Sequence, residues 1–342
     1  MKNKINMLKA LAIMLVVSGH LEFSLIPMFP PYSFQLALFF FISGMLFNEK
    51  YNFVEFFKRR FKSLLKPYII YSIVYLLITI AITPLIGKFW GMDINWFNEL
   101  VIPFLTGHQI DLTCPLWFVP QLFTTLIFYH ICNKFKLHTI IYIILALAAI
   151  QLGEFKENLY VLYLLRTMYS LLFVHLGYIY KTRGQANLFT SKILYSIIAI
   201  QAILWLTNAD YTPEDGIGLS YILVWGDFSN KIVPILTSIT GIWISLFIIE
   251  VSWNYIKDWD FLHKIGENTY HIMANHLFVF NIITYLLLWM KNIPFDVKNS
   301  ASIYWFYAPL KTTYLYFLAG IVVPVIVAEF IKKVINKIRC KN

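Results

Sequence analysis

MLKALAIMLVVSGHLEF, residues 7–23, decides how the rest of the chain is read. It is a run of Leu, Ile, Val, Met and Ala, and with its flanks it reaches the ~20 residues that cross a bilayer. Two residues break the pattern: Lys9 near the start and His20 deep inside. An ionisable side chain in hydrocarbon costs several kcal/mol, ~2.5–3.5 by insertion scales, unless it faces a helix bundle or a wet cavity. Eleven steps separate the two. At ~100° per residue that is three turns plus ~20°, so both side chains fall on one helix face, ~16 Å apart along the axis. Two readings follow. The stripe carries function from the cytoplasmic edge inward. Or His20 is hydrogen-bonded between helices while Lys9 snorkels to the surface.

The rest of the 342 residues reads the same way: 59% are hydrophobic, 13% are charged and mean hydropathy is +0.66. That composition excludes an ordinary soluble domain. Apolar runs predict an all-α, polytopic bundle of about ten spans, at 7–26, 34–49, 67–87, 117–133, 139–152, 159–180, 189–207, 232–252, 269–290 and 313–334. Runs 34–49 and 139–152 are short for a crossing. With the N-terminus inside, the inner segments and the last helix end hold 19 of the 28 Lys and Arg, and the outer loops hold five. This asymmetry places both termini in the cytoplasm. It also accounts for the net charge of +10 without a nucleic-acid partner. The first run lacks a small-residue cleavage site and reads as a retained helix. No repeat or appended soluble domain stands out, so residues 1–342 form a single transmembrane domain. Cys114, Cys132 and Cys340 have neither pairing nor metal spacing.

Other ionisable residues fall in the apolar runs. Arg166 lies about a third of the way into its span, where it needs an anion: a carboxylate, with Glu250 a candidate, or a substrate phosphate. His271 and His276 are five residues apart, ~140° around a helix, and there is no HExxH, so a shared metal is not expected. Asn275 and His276 read as interhelical hydrogen-bonding groups. FFKRRFKSLLKPYIIY, residues 56–71, is strongly basic and falls in a cytoplasmic loop. It suits anionic lipid, or the phosphates of a cytosolic donor. The outer loop 88–116 offers Trp90, Asp93, Trp96, His108 and Asp111, which suit either a sugar or an interfacial aromatic belt. No Walker A, GxGxxG or GxSxG motif is present.

Taken in order, these pieces resemble the membrane acyltransferase 3 family. Lys9 and His20 keep its spacing of a basic residue, ten residues and a histidine. LALFFFISGMLF resembles its FFxxSG element through Phe40, Phe41, Ser43 and Gly44. KSLLKPYIIY resembles its basic stretch closing in Pro-Tyr, and PLWFVPQLF, with Trp117, its Trp-Phe-x-Pro helix. FVHLGYIYK and IGENTYHIMANHLFVF resemble its later segments, the second ending in a histidine. Departures are Asn6 at a position often acidic, Lys9 where Arg is common, and Ser63 in place of a basic residue. Among subgroups the chain looks closest to sugar O-acetyltransferases without an extracytoplasmic domain.

The resemblance implies a bacterial inner-membrane enzyme that transfers acetyl from acetyl-CoA to a hydroxyl of a surface polysaccharide, such as O-antigen or capsule, or of its lipid-linked precursor. His20 is then the general base. Lys9, its catalytic companion on the same stripe, and Arg59, Arg60 and Lys62 suit the CoA phosphates, the stripe guiding the pantetheine arm inward to His20, and Arg166, Trp117 and Ser43 are candidate substrate contacts. A transporter or flippase for a glycan would also use buried charge among about ten helices, though it would favour inverted repeats. The other large class of membrane O-acyltransferases uses a late histidine, for which His276 would stand.

Overall fold

The computed structural model describes residues 2–86, 111–183, 188–208, 218–228, 232–294 and 305–339. In chain order the helices are α1 (Lys2–Gly19), α2 (Gln35–Met45), α3 (Phe53–Arg60), α4 (Lys66–Ile86), α5 (Phe118–Lys134), α6 (Thr139–Leu152), α7 (Leu159–Arg183), α8 (Ser191–Thr207), α9 (Val233–Ile256), α10 (Asp260–Glu267), α11 (Thr269–Met290) and α12 (Pro309–Arg339). A two-stranded antiparallel hairpin, β1 (Tyr221–Ile222) and β2 (Asp227–Phe228), lies between α8 and α9.

Among the described residues, six apolar stretches are long enough to cross a membrane: Phe53–Ala81, Leu112–Lys134, Leu159–Arg183, Val233–Ile256, Thr269–Met290 and Pro309–Ile338. Gln35–Met45, Thr139–Phe155 and Ser191–Thr207 are apolar but shorter. Apolar side chains such as Leu77, Leu206, Ile326 and Phe330 point outward, whereas Arg166, Thr125, Ser170 and His276 are buried. Polar groups inside and apolar groups outside are the arrangement a lipid solvent selects. This is a multi-pass membrane protein.

The first expected span needs correction. The predicted run reaches residue 26, but α1 stops at Gly19. Glycine is a poor helix former. Ser18 Oγ donates to Leu15 O (3.1 Å), and the chain turns through Leu21 N–Ser18 O and Glu22 N–Gly19 O bonds, with Glu22 at φ +58°. His20 therefore lies in the turn at the end of α1 and not within a continuing helix. Two short amphipathic helices, α3 and α10, occupy segments read from the sequence as loops. Asn52 caps α3, its side chain accepting from Glu55 N (3.0 Å). A π-helical turn, Phe61–Leu65, joins α3 to α4. Pro67 has no N–H to donate to the carbonyl four residues back, and the wider turn absorbs that missing bond.

Close packing at two glycines fixes the centre. A Cβ built on Gly177 of α7 would lie 1.9 Å from Phe41 O, and one on Gly44 of α2 would lie 2.0 Å from Val174 O. The α2 and α7 backbones thus touch, as small residues at membrane helix crossings permit. At one end of α1, α10 docks with Gly266 against Asn6 O. There Lys4 pairs with Glu250 (2.6 Å) and lies over the Trp253 ring.

Candidate active site

A cavity of about 450 Å³ opens where α1 ends. Its walls include Gly19 and His20, Tyr32 and Gln35, Phe39 of α2, Trp117 and Phe118, Met273 of α11 and the hairpin segment Tyr221–Trp225. None of its described lining residues is Asp, Glu, Lys or Arg. The side-chain hydrogen-bonding groups of its described lining are few: the His20 imidazole, the Tyr32 and Tyr221 hydroxyls, the Gln35 amide, the Cys114 thiol and the indole N–H groups.

His20 reaches the cavity because α1 terminates immediately before it. Its Nδ1 is 3.3 Å from the Tyr32 hydroxyl, and the two rings meet edge to face. Tyr32 has φ +61°, a conformation uncommon for a side chain of this size. The hairpin holds it there: Tyr221 N donates to Tyr32 O (3.0 Å) and Ser220 Oγ to Pro31 O (2.6 Å).

On its other side His20 faces His276, with ring centroids 5.1 Å apart. The sequence reading treated these histidines as alternatives; the fold makes them neighbours. His276 is fully buried. Its Nδ1 is 2.9 Å from Ile272 O. A carbonyl can only accept, so Nδ1 carries the proton and Nε2 of the neutral ring carries the lone pair. Nε2 has no partner among the described residues. His271 and Asn275 turn the other way, as their offset predicts. Tyr71 O and His271 Nδ1 lie 2.6 Å apart, and Tyr75 donates to Asn275 Oδ1 (2.7 Å). Asn275 is thus an interhelical group, as the sequence suggested, and His271 joins it in tying α4 to α11, whereas the Nδ1 bond of His276 stays within its own helix.

Among the described residues, Arg166 bonds backbone carbonyls. Its Nε donates to Leu223 O (3.2 Å) and its Nη2 to Val224 O. Its guanidinium lies over the Trp117 ring, 5.4 Å from the centroid. Glu250, the candidate partner, pairs with Lys4 instead. Carbonyls at a hairpin turn lack ladder donors, and a fork of N–H groups satisfies two of them at once. Arg166 is thus behind the wall, clamping the turn that roofs the cavity and backing Trp117.

The remaining sequence candidates are spread out. Trp117 lines the cavity. Ser43 Oγ donates to Phe39 O (2.9 Å) on its own helix and is not among the lining residues. Lys9 is partly buried on α1 away from the cavity, with Glu267 of α10 the acid within electrostatic reach. Arg59 lies over the Tyr51 ring (4.2 Å), Arg60 over Phe56 (5.1 Å), and Lys62 is exposed. Arg60 Nη2 also reaches Leu46 O (3.5 Å). The basic group and the cavity therefore stand at opposite ends of α2. Leu46 and Gln35 are eleven residues apart, ~16 Å along a helix. Trp90, Asp93, Trp96 and His108 lie outside the described residues.

Tyr32 and the hairpin were not singled out from the sequence. Tyr32 falls in a short Pro-rich loop with no motif, and the hairpin strands are two residues each. His276 was legible as a buried polar residue but not as a neighbour of His20.

A family model described as an acyltransferase domain matches residues 2–331. No curated protein and no solved structure shows significant similarity to the chain.

Proposed function

The chain belongs to the acyltransferase 3 family, and from that premise we propose that it transfers an acetyl group from acetyl-CoA to a hydroxyl of a surface polysaccharide or its lipid-linked precursor. The observation that carries the chemistry is the His20 imidazole at the edge of a cavity whose described lining has no charged side chain. A sugar hydroxyl is a weak nucleophile. A neutral imidazole can take its proton as the oxygen attacks the thioester carbonyl. The C–S bond then breaks, CoA leaves as a thiolate, and the imidazolium returns the proton to sulfur. The products are an ester and free CoA, and His20 is regenerated. Among the described lining residues the other titratable side chains are the Tyr32 and Tyr221 phenols and the Cys114 thiol, all weaker bases than an imidazole near neutral pH when protonated, so the base is assigned to His20.

The donor's phosphates belong with the basic group, Arg59, Arg60 and Lys62, where guanidinium forks suit them. The thioester belongs at His20. The ~16 Å between the ends of α2 is a distance of the order that an extended pantetheine arm covers. Trp117 gives the acceptor an aromatic wall. Arg166 serves the substrate indirectly, by holding Trp117 and the hairpin. The proposed setting is a bacterial inner membrane with about ten crossings and both termini in the cytoplasm, the three shorter apolar helices and α1 completing the six long ones.

The test uses membranes containing wild type or His20→Ala at matched expression, given radiolabelled acetyl-CoA. Label is counted in the extracted envelope glycan. The reading expects label from wild type and a loss of roughly 10²–10⁴-fold without the base. Undiminished label from His20→Ala would remove His20 from the mechanism. Absence of label from wild type with acceptor present would favour transport over transfer.

A further inference from the structure

We propose that His276 is a positioning residue for the transfer, acting through His20; this rests on the acyl-transfer reading above. The observation is an unused lone pair. His276 is fully buried, its tautomer is fixed by the Nδ1–Ile272 O bond, and Nε2 has no partner among the described residues. An unpaired acceptor in the interior is costly, and native proteins keep few without a reason. The ring beside it is His20.

The two histidines differ in access. His20 lines the cavity and His276 does not. His276 therefore cannot take the substrate's proton directly and can act only through its neighbour. During the attack His20 becomes an imidazolium, in a cavity whose described lining holds no carboxylate. It then carries N–H on both ring nitrogens. One proton is destined for the leaving sulfur, and the other needs an acceptor. Two lone pairs stand nearby, the Tyr32 oxygen and His276 Nε2.

An N–H···N bond between two imidazoles places their centroids ~5 Å apart, because the nitrogens meet at ~3 Å and each ring centre lies just behind its own. The observed 5.1 Å matches that spacing. The bond is not made at rest, since Nε2 is unpartnered; it requires only reorientation of His20 within its turn. Catalytic hydrogen bonds commonly tighten only as the reaction proceeds. His276 thus stands where a carboxylate stands in a serine-hydrolase triad. It has no charge of its own, and its bond strengthens only when His20 is charged. An interaction made mainly in the transition state raises kcat and leaves KM nearly alone.

The experiment compares His276→Gln with His276→Leu at matched expression, with initial rates measured against radiolabelled acetyl-CoA. Glutamine keeps an acceptor near the Nε2 position, while leucine keeps the bulk and removes it. His276→Leu is expected to lower kcat by about ten- to a hundredfold, the loss of one charge-assisted hydrogen bond, with KM for acetyl-CoA changed less than about threefold. His276→Gln is expected to recover most of that loss. Activity of His276→Leu equal to wild type, an equal fall in both variants, or a loss confined to KM would overturn the proposal. Should the leucine variant fail to accumulate, His276→Met makes the same comparison. An inactive wild type would overturn the acyl-transfer reading itself, a different outcome from an active wild type that tolerates leucine.

Discussion

Gly177→Ala is the smallest change that should damage this fold far from the proposed chemistry. The added Cβ would lie 1.9 Å from Phe41 O, a backbone atom that cannot swing aside. Reaching even the tightest contact of real Cβ atoms, 3.0 Å, requires α2 and α7 to part by 1.1 Å, the difference between those distances. A gap of ~0.5–1 Å forfeits a quarter to a half of the dispersion energy along a seam, and overpacking of this kind costs ~1–3 kcal/mol. At ~2–4 °C per kcal/mol for a large domain, the apparent melting temperature should fall by several degrees. Gly44→Ala makes the reciprocal clash, 2.0 Å from Val174 O, and should cost a similar amount. Both substitutions demand the same separation. Once one has parted the helices the other meets little resistance, so the double variant should cost clearly less than the sum, with a coupling of ~1 kcal/mol or more. Activity should fall too, because α2 carries Gln35, Leu36 and Phe39 of the cavity wall, and a ~1 Å misplacement can cost ~10²-fold. The assay is thermal unfolding of purified protein in detergent at one scan rate, since such unfolding is often irreversible, paired with transfer rates. Wild-type melting for Gly177→Ala, or strict additivity in the double variant, would refute the argument.

Arg166→Lys should cost ~2–4 kcal/mol in local stability, because an ammonium cannot satisfy the Leu223 and Val224 carbonyls as a fork does. It should appear as faster amide exchange over the hairpin, and unchanged exchange there would count against the clamp. Arg59→Ala with Arg60→Ala should raise KM for acetyl-CoA at least tenfold while kcat changes little. The effect should shrink as salt is added, and a pure kcat defect would move the donor's phosphates elsewhere. Tyr32→Phe should lower transfer by less than about tenfold, a neutral hydrogen bond being worth ~0.5–1.5 kcal/mol; a loss as large as that of His20→Ala would make Tyr32 the base. Lys4→Ala breaks a part-exposed ion pair and should shift stability by less than ~1 kcal/mol, read by the same melting assay.

The helices were legible because the physics that makes them is one-dimensional. A run of apolar side chains must bury its backbone polar groups in itself, and the apolar runs 139–152 and 269–290 match the ends of α6 and α11. Where hydropathy failed, the cause is local. Nothing in the mean apolarity of residues 7–26 marks the stop at Gly19, since Leu21, Phe23, Leu25 and Ile26 are as apolar as the helix before them. The signals are the glycine itself and the prolines at 27, 30 and 31, and they compete with a longer pattern that looks unbroken. The eight-residue helices α3 and α10 were missed for the opposite reason. Two turns of amphipathic sequence carry too few residues for a period to emerge from a basic loop.

The site was legible only as a set of anomalies, and their partners could not be inferred from them. A buried charge announces that something compensates it, but not what. For Arg166 the expected compensation was an anion, because that is the commonest strong acceptor on a side-chain inventory. Among the described residues its acceptors include two backbone carbonyls, Leu223 O and Val224 O, and any loop of the chain could have supplied such a pair. Backbone acceptors leave no trace in sequence identity. His276 shows the converse. Its polarity was visible, and one of its nitrogens is satisfied within its own helix, as a bland interhelical reading would allow. The other nitrogen gives the residue its meaning, and that depends on α1 ending one residue before His20. Had the helix continued to residue 26, His20 would be held in a helical ring of neighbours, far less free to turn between His276 and the cavity. The stop that hydropathy could not see is therefore the feature that turns two isolated histidines into a pair.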